Sequence, residues 1–239
     1  MPTAIGGRAA LDDPVVLDAV AHSQLRDLPP DVLTPLLDGA TRLRAPAGTA
    51  VRDFGEPGPY LMLLVDGFLR VFVRAPDGRR LTVRYLRRGD ISGAVSLFTP
   101  GYTLAATVEA LVDSDLVSLR GDVVKGLAET NMLVARAVMS ELSERVVDFV
   151  AEIPGSVFST VRQRVARHLL DLASEQRRDE RLIAHVSQQG LAEAVGSVRE
   201  VVVRVLRDLR AEGVIRTGHG GIELLLPERL VDEQFYPPR

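Results

Sequence analysis

Cysteine and tryptophan are missing from this chain of 239 residues, and it contains only four histidines. The lack of cysteine excludes disulfides, thiolate metal sites and cysteine-ligated iron–sulfur clusters. Several catalytic signatures are missing as well: HExxH, the nucleophile elbow, the Walker loop, and GxGxxG after a strand. The sequence therefore predicts neither an enzyme nor a metal or cofactor site.

Long apolar runs are also missing. No stretch reaches the roughly 18 uninterrupted apolar residues of a membrane helix, and the N-terminus lacks the charged-then-apolar pattern of a leader. We therefore expect a cytoplasmic protein without a membrane partner. Its net charge of −3 argues against a general nucleic-acid coater, although a specific binding face requires positive charge only locally. The length is typical of two modest domains.

The most informative stretch, residues 187–215, reads SQQGLAEAVGSVREVVVRVLRDLRAEGVI. Its pattern predicts a short helix over about Gln188–Ala194, a tight turn at Gly196, and then a second helix. Ser197 and Glu200 have the spacing of a capping box, so Ser197 is the predicted N-cap of the second helix. Two short helices joined by such a turn form a helix-turn-helix.

The predicted second helix has two unlike faces. At 100° per residue, one face is apolar, and the nearly opposite face carries Arg199, Glu200 and Arg204. Arginine donates to guanine O6 and N7, and glutamate accepts from the cytosine amino group, so this face suits the DNA major groove. Two plainer interpretations stay open: a charged face that only meets solvent, and Glu200 acting solely as a cap. The apolar face comprises Val202, Val205, Leu206 and Leu209.

Residues 216–226 follow with RTGHGGIELLL, which predicts a short hairpin with a glycine-rich tip, the wing of a winged helix. The motif of Val195-Gly196 followed by Arg199, Glu200 and Arg204 resembles the DNA-binding domain of the cAMP receptor protein/FNR (CRP/FNR) regulator family. The resemblance implies that these three charged residues read bases. It also implies double-stranded DNA, a second copy of the chain and RNA polymerase as partners. The predicted DNA-contacting residues are Arg199, Glu200, Arg204, Ser187, Gln189, Ser197, Val201 and Val203.

Residues 41–120 change to an alternating pattern of apolar and polar residues punctuated by glycine. Tyr60–Val65, Leu69–Arg74 and Leu81–Leu86 are predicted strands, and Asp77-Gly78 between two of them is a hairpin signal. Regular short strands favour a double-sheet jelly roll. In the family that the chain resembles, this is the cyclic-nucleotide-binding β-roll.

Residues 121–153 return to helical spacing, and apolar residues in their later part alternate steps of three and four. This seam predicts a long dimerisation helix, while an ordinary core-facing helix is the alternative. Pro154-Gly155 is expected to end the helix and to offer a hinge, and a helix from Val157 is expected to begin the DNA-binding domain. The predicted seam residues are Met132, Ala135, Met139, Leu142, Val146, Phe149 and Ile153.

The ligand pocket departs from the family pattern. In members that bind cyclic nucleotides, a cassette carries Gly-Glu near its start and Arg-Ser or Arg-Thr further along. Ala94 stands at the glutamate position, Leu104 at the arginine position and Ala105 at the hydroxyl position. An unpaired phosphate beside Leu104 costs several kcal/mol, so control by cAMP is not expected. The degenerate pocket is predicted to comprise Gly93, Ala94, Leu104, Ala105, Phe149 and Val150.

Three occupants of the β-roll stay open: its own side chains, an apolar effector, or haem. A cation from another strand is a further alternative, and Arg74, Arg79 and Arg80 are the candidates.

Together these patterns predict an α+β protein of three parts. These are an N-terminal β-roll sensor domain with flanking helices (1–120, with residues 1–21 as a loose lead-in), a long dimerisation helix (121–154) and a C-terminal winged helix DNA-binding domain (155–239). The predicted function is that of a homodimeric transcription regulator that binds a palindromic DNA site. The alternative is a ligand-sensing or protein-interaction module with an apolar effector in the β-roll and no independent DNA activity.

Overall fold

Two compact units, residues 1–145 and 146–239, make up the chain. The division between them falls inside a long helix, earlier than the boundary predicted at residue 154. The computed structural model describes residues 2–8, 13–74, 80–175, 181–218 and 221–235.

The first unit contains nine strands and four complete helices among its described residues, and a fifth helix begins in it. The strands are β1 (Thr3–Arg8), β2 (Thr41–Ala45), β3 (Ala50–Arg52), β4 (Tyr60–Asp66), β5 (Leu69–Arg74), β6 (Arg80–Leu86), β7 (Ile91–Ser92), β8 (Thr107–Ala110) and β9 (Ser114–Arg120). The helices are α1 (Pro14–Ala21), α2 (Pro30–Leu37), α3 (Ala94–Phe98), α4 (Gly121–Thr130) and α5 (Met132–Phe158).

These strands form two antiparallel sheets, in the orders β1-β2-β9-β4-β7 and β3-β8-β5-β6. Side chains of both sheets meet in one buried apolar cluster, to which Met62 and Leu64 contribute from β4 and Leu69 from β5. This double-sheet arrangement confirms the predicted β-roll. Strands β5 and β6 pair as expected, whereas the predicted Asp77-Gly78 turn between them lies outside the described residues.

Strand β4 is buried on both faces. Met62 and Leu64 point into the roll, whereas Leu61, Leu63 and Val65 pack against the helices on the other side of the sheet. A strand covered on both faces is expected to be apolar throughout rather than alternating, and the residues from 60 to 65 are all buried.

The described residues of the N-terminal segment form a strand and a helix, so the prediction of a loose lead-in is wrong. Strand β1 pairs with β2, and α1 follows it. The side chain of Asp13 accepts a hydrogen bond from the Val15 N–H at 2.9 Å, and Pro14 occupies the first turn of the helix. An N-cap aspartate followed by proline is a helix-start signal that is independent of apolar periodicity, which is why periodicity alone missed it.

The helical region after the roll differs from the prediction at two places. Asn131 separates α4 from α5, and its side chain accepts a hydrogen bond from the Leu133 N–H at 2.9 Å, so it caps a new helix. Helix α5 then continues through Pro154 and Gly155 to Phe158. A proline removes only one backbone hydrogen bond, at a cost of about 3 kcal/mol, and the other bonds of a 27-residue helix keep it continuous.

The second unit is a winged helix, as predicted. After the end of α5, its elements are α6 (Val161–Glu175), β10 (Ile183–Ala184), α7 (Gln188–Ala194), α8 (Arg199–Ala211), β11 (Ile215–Gly218), β12 (Gly221–Leu224) and α9 (Pro227–Phe235). The three strands form one sheet in the order β10-β12-β11. Strand β10 and helix α9 have no counterpart in the sequence-based prediction.

Helix α6 begins at Val161 and not at the predicted Val157. Thr160 and Gln163 form a reciprocal capping box: the Thr160 N–H donates to Gln163 Oε1 at 2.9 Å, and the Gln163 N–H donates to Thr160 Oγ1 at 3.2 Å. These bonds fix the start of the helix. The buried side of α6 carries Val165 and Leu169, both fully shielded from solvent.

Candidate functional site

Helix α8 has the two faces that its sequence predicts. Its charged face, which we call the reading face, consists of Arg199, Glu200 and Arg204, and all three are exposed. Beside them lie the exposed Val203 and the half-buried Val201. The opposite face is buried in the unit's core by Val202, Val205, Leu206 and Leu209.

The turn between α7 and α8 gives the second helix its entry direction. Gly196 has a φ of 63°, a left-handed conformation that glycine adopts at no steric cost. The hydroxyl of Ser187 accepts a hydrogen bond from the Gly190 N–H at 3.0 Å, so Ser187 caps the first helix of the pair. Gln189 lies exposed in the first turn of that helix.

The predicted capping box at Ser197 and Glu200 is wrong. Val198 is the N-cap of α8, and no side chain caps this helix. Ser197 instead completes the turn, because its N–H donates to the Ala192 carbonyl at 2.9 Å. Glu200 is therefore released from the capping role that the sequence left open.

The reading face has no partners among the residues that the structure describes. Within the described part of the chain, Arg199, Glu200 and Arg204 form no salt bridge and no side-chain hydrogen bond. The arginines further along are engaged: Arg207 contacts Asp208 at 3.3 Å, and Arg210 donates to Thr217 Oγ1 at 3.2 Å. Exposed guanidinium groups without partners keep all their donors for a ligand.

The wing is a tight hairpin of β11 and β12, with Gly218 opposite Gly221. Arg216 at its base lies 3.5 Å from the carboxylate of Glu223 across the hairpin. Residues 219 and 220 at the tip lie outside the described residues. The wing therefore follows α8 directly in sequence, as in the predicted winged helix.

In the predicted cassette of the roll, two of the three substituted positions are buried. Gly93 has a φ of 105°, and a Cβ there would lie 2.5 Å from the Tyr60 carbonyl oxygen, so only glycine fits. Ala94 and Leu104 are buried, whereas Ala105 is exposed. Phe149 and Val150, the other two predicted pocket residues, belong to the second unit and are 63% and 55% exposed.

Leu104 fills space between the sheets. Its side chain belongs to the apolar cluster that includes Met62 and Leu69. Its backbone is bound to the loop before β4, since the Leu104 N–H donates to the Glu56 carbonyl and the Gly55 N–H donates to the Leu104 carbonyl, both at 2.9 Å. Where the family pattern places a guanidinium, this roll therefore has a packed aliphatic side chain.

Polar groups near the mouth of the roll are bound to one another. The guanidinium of Arg52 lies 4.4 Å from the centre of the Tyr60 ring and pairs with Glu56 at 2.9 Å. Burial raises the pKa of Tyr60 to about 12. Of the alternative cations, Arg74 is exposed, whereas Arg79 and the side chain of Arg80 lie outside the description.

Arg70, which has no role in the sequence-based prediction, is fully buried. Its Nε donates to Thr82 Oγ1 at 2.8 Å, and its guanidinium lies 5.2 Å from the centre of the Phe72 ring. Since side chains alternate along a strand and Leu69 points into the roll, Arg70 points to the opposite face of the sheet. Arginine is rarely fully buried, so its identity gives no sign of this position.

The predicted dimer seam lies on the uncovered side of α5. Its residues Met132, Met139, Val146 and Phe149 are all more than half exposed. Ala135 and Leu142 are half-buried, and the side chain of Ile153 lies outside the description. The core-facing side of the helix is a different set, Val134, Ala137, Val138 and Glu141, so the alternative of a core-facing seam does not hold for the four exposed residues.

Family models match both units. The cyclic nucleotide-binding domain matches residues 42–131, and the Crp-like helix-turn-helix domain matches residues 163–233. The chain is 33% identical over 180 residues to the transcriptional regulator LdrP of Thermus thermophilus, which covers 72% of this chain and 85% of that protein. It belongs to the CRP/FNR family of transcription regulators.

This CRP/FNR regulator is also 30% identical over 197 residues to the cyclic AMP receptor protein of Thermus thermophilus, covering 82% of this chain and 89% of that one. The structure of the c-di-GMP responsive global regulator CLP of Xanthomonas campestris covers 81% of this chain and 98% of its own, at 25% identity and a TM-score of 0.53. The relatives of this chain are transcription regulators and not enzymes, and the chain shares the helix-turn-helix DNA-binding domain of that family.

Two further properties concern the described residues only. No helix among them is long and apolar enough to cross a membrane. They contain no group of three or more histidine, aspartate or glutamate side chains arranged to hold a metal ion.

Proposed function

We propose that this regulator binds a palindromic DNA site as a homodimer and reads it with the reading face of α8. The observation that supports this most directly is that Arg199, Glu200 and Arg204 are exposed and have no partner within the described chain, while the opposite face of the helix is fixed in the core. Two such helices about 34 Å apart fit successive major grooves of a palindrome.

Each side chain of the reading face has a role that follows from its chemistry. Arg199 and Arg204 bond to guanine O6 and N7, and Glu200 accepts from the cytosine amino group on the opposing strand. Val203 and Val201 contact thymine methyl groups. Ser187, Gln189, Ser197 and the wing bind phosphates, contacts that contribute affinity without specificity.

We propose that the seam on α5 is the dimer interface. The roll then serves as the sensor domain, the helix as the dimerisation element and the winged helix as the DNA-binding domain, as predicted. Met132, Met139, Val146 and Phe149 present apolar surface that nothing in the described chain covers. A second copy of the helix is the partner that buries this surface and also supplies the two-fold symmetry of a palindrome.

We further propose that the regulator acts without a cyclic nucleotide. Leu104 and its neighbours pack the interior of the roll, and Ala94 and Leu104 stand where a ribose and a phosphate would need partners. Adding cAMP should therefore leave the melting temperature and the DNA affinity unchanged. An upward shift of the melting temperature that saturates with cAMP would contradict this part of the proposal.

A DNA-bound regulator of this family acts through RNA polymerase, and we propose this enzyme as the further partner. The cytoplasm is the proposed location, because the DNA target lies there.

The decisive experiment is selection of random duplexes by the purified protein without added ligand, with Arg199→Ala in parallel. Recovery of a palindrome by the wild type, with relaxed preference at one position in the variant, is the expected result. Identical preferences for both proteins would remove Arg199 from base reading. Recovery of no preferred sequence by the wild type would contradict ligand-independent recognition, and repeating the selection with cell extract would then separate a missing effector from a wrong DNA assignment.

A further inference from the structure

One arginine in the second unit binds two backbone carbonyls that lie far apart in sequence. Arg164 lies in the first turns of α6, and its side chain is half-buried. Its Nε donates to the Val195 carbonyl at 2.7 Å, and its Nη1 donates to the Ser159 carbonyl. Neither partner is a carboxylate, so this contact orients backbone and does not balance charge.

Both carbonyls lie at the C-terminal ends of helices. Ser159 follows directly after α5, and Val195 follows directly after α7. The Val195 N–H closes the last turn of α7 by donating to the Leu191 carbonyl at 3.0 Å. The last carbonyls of a helix have no partner within it and carry partial negative charge. A single guanidinium thus joins the ends of two helices.

Arginine is the one side chain suited to this bridge. Its planar guanidinium holds Nε–H and the Nη1 protons in fixed, divergent directions, so it reaches two acceptors on different sides at once. A lysine ammonium is a compact point charge on a flexible stem, and it can approach either carbonyl but cannot span both.

The Val195 carbonyl sits at the entrance to the recognition helix. Gly196 turns the chain, the Ser197 N–H bonds back to the Ala192 carbonyl at 2.9 Å, and α8 begins at Arg199. No side chain caps the start of α8, so its first turn is oriented by the preceding turn and by the packing of its buried face. A contact that holds Val195 therefore also holds the first residue of the reading face.

We propose that Arg164 is a positioning residue for DNA recognition: it fastens the turn before α8 to the C-terminal end of α5. This proposal rests on base reading by α8. It adds that the end of the long helix and the start of the recognition helix are connected through one side chain, which does not itself contact a base.

The test replaces Arg164 by lysine in the full-length protein. The matched control is Arg162→Lys, two residues earlier in the same helix. Arg162 Nη2 contacts the Glu212 carboxylate at 2.7 Å, and a lysine ammonium can retain a contact of this kind. The measured quantities are affinity for the selected palindrome, affinity for a random duplex, base preference in selection, and melting temperature.

We expect Arg164→Lys to weaken binding to the palindrome roughly tenfold, which is about 1.4 kcal/mol and comparable to damaging one base contact. Binding to random duplex and its salt dependence should stay unchanged, because phosphate contacts do not require an exact helix orientation. Base preference should relax at the positions nearest the start of α8. Arg162→Lys should match the wild type in every DNA measurement.

A lower melting temperature with an unchanged ratio of specific to non-specific affinity would show that Arg164 only stabilises the fold, and would overturn the proposal. Wild-type binding by the variant would overturn it too. The ratio comes from one preparation, so a reduced folded fraction cancels. Arg164→Gln, which keeps a neutral amide donor group, is measured beside it, and failure of both variants to fold assigns Arg164 to stability alone. Failure of the underlying DNA assignment is distinguishable, because the wild type itself would then show no preferred site.

Discussion

Arginines of the first unit and arginines of the reading face are used in opposite ways. In the first unit, Arg42 bonds to the carboxylates of Asp13 and Asp115, and Arg84 donates to the Ile91 carbonyl at 2.9 Å and contacts Glu141. On the reading face of α8, arginines of the same chemistry have no partner within the described chain. A guanidinium that is bound internally has few N–H donors left for a ligand. Whether an arginine has partners within the chain therefore distinguishes a recognition surface from a structural network better than its charge does.

Breaking an internal network should have the largest effect. Arg84→Met leaves the carboxylate of Glu141, of which 3% is exposed, with Arg145 as its remaining ion-pair partner. Removing one partner of a buried pair typically costs about 3 kcal/mol or more in the free energy of unfolding. Urea denaturation at neutral pH measures this loss.

The control for that variant is Arg88→Met, which removes a half-exposed pair with Asp18. Exposed pairs contribute about 0–1 kcal/mol, so this change should be small. Equal losses from the two variants would mean that burial of the Arg84 network does not matter.

Removing an arginine of the reading face should weaken DNA binding and leave the stability of the fold unchanged. Arg204→Ala should weaken binding to the selected palindrome by about 2 kcal/mol and relax one base position, because a bidentate base contact is lost. Its melting temperature should stay at the wild-type value. Arg207→Ala, on the same helix but engaged with Asp208, is the matched control and should keep nearly full affinity. Competition binding at fixed salt decides between them, and a greater loss from Arg207→Ala would reverse the assignment.

The starts of α6 and α8 offer the same comparison, between an engaged and an unengaged side chain, with a smaller expected change in stability. Thr160→Ala removes a hydroxyl that is engaged in a capping box and should destabilise the protein by about 1 kcal/mol. Ser197→Ala removes a hydroxyl that caps no helix and should leave the unfolding free energy close to the wild-type value. Thermal or urea unfolding measures both variants, and a larger loss at Ser197 would restore the capping role that the structure denies it.

The smallest effect concerns pH. Burial raises the pKa of Glu141 and outweighs the lowering influence of Arg84 and Arg145, while Asp90 and Glu144 raise the pKa further. A raised pKa in the folded state means that this group's stabilisation is present at low pH and is lost as the pH rises through the folded value. From about pH 4.5 upward, the wild type should therefore lose stability relative to Glu141→Gln. A difference that grows in the opposite direction would show that the two arginines prevail over burial.

Patterns of a few residues predicted the winged helix well. The first helix of the pair, the glycine turn, the buried face of α8 and the wing hairpin all follow from local spacing, and the structure confirms them. The predicted cap of α8 is wrong. Ser197 and Glu200 have the spacing of a capping box, but the Ser197 N–H bonds to the Ala192 carbonyl and Val198 is the N-cap. The same motif was overlooked at Thr160 and Gln163, where it decides the start of α6.

Other features depend on contacts that spacing does not encode. The order of strands in the roll, the addition of β1 to the edge of β2 and the burial of Arg70 arise from pairing between distant segments. The continuation of α5 through Pro154 depends on whether the remaining hydrogen bonds of the helix outweigh the one that proline removes. The departure of the cassette from the family pattern can be read from the sequence, because Ala94 and Leu104 replace a glutamate and an arginine with apolar side chains.

The edge strand at the N-terminus has a consequence for how the domain is delimited. The match to the family begins at residue 42, yet β1 pairs with β2, and α1 contributes Val16, Ala19 and Val20 to the buried core. A fragment cut at that point would have an open sheet edge and a bare apolar groove, two features that promote association between molecules. Any oligomers that such a fragment formed would be products of the cut and would not report on the proposed dimer of the intact regulator.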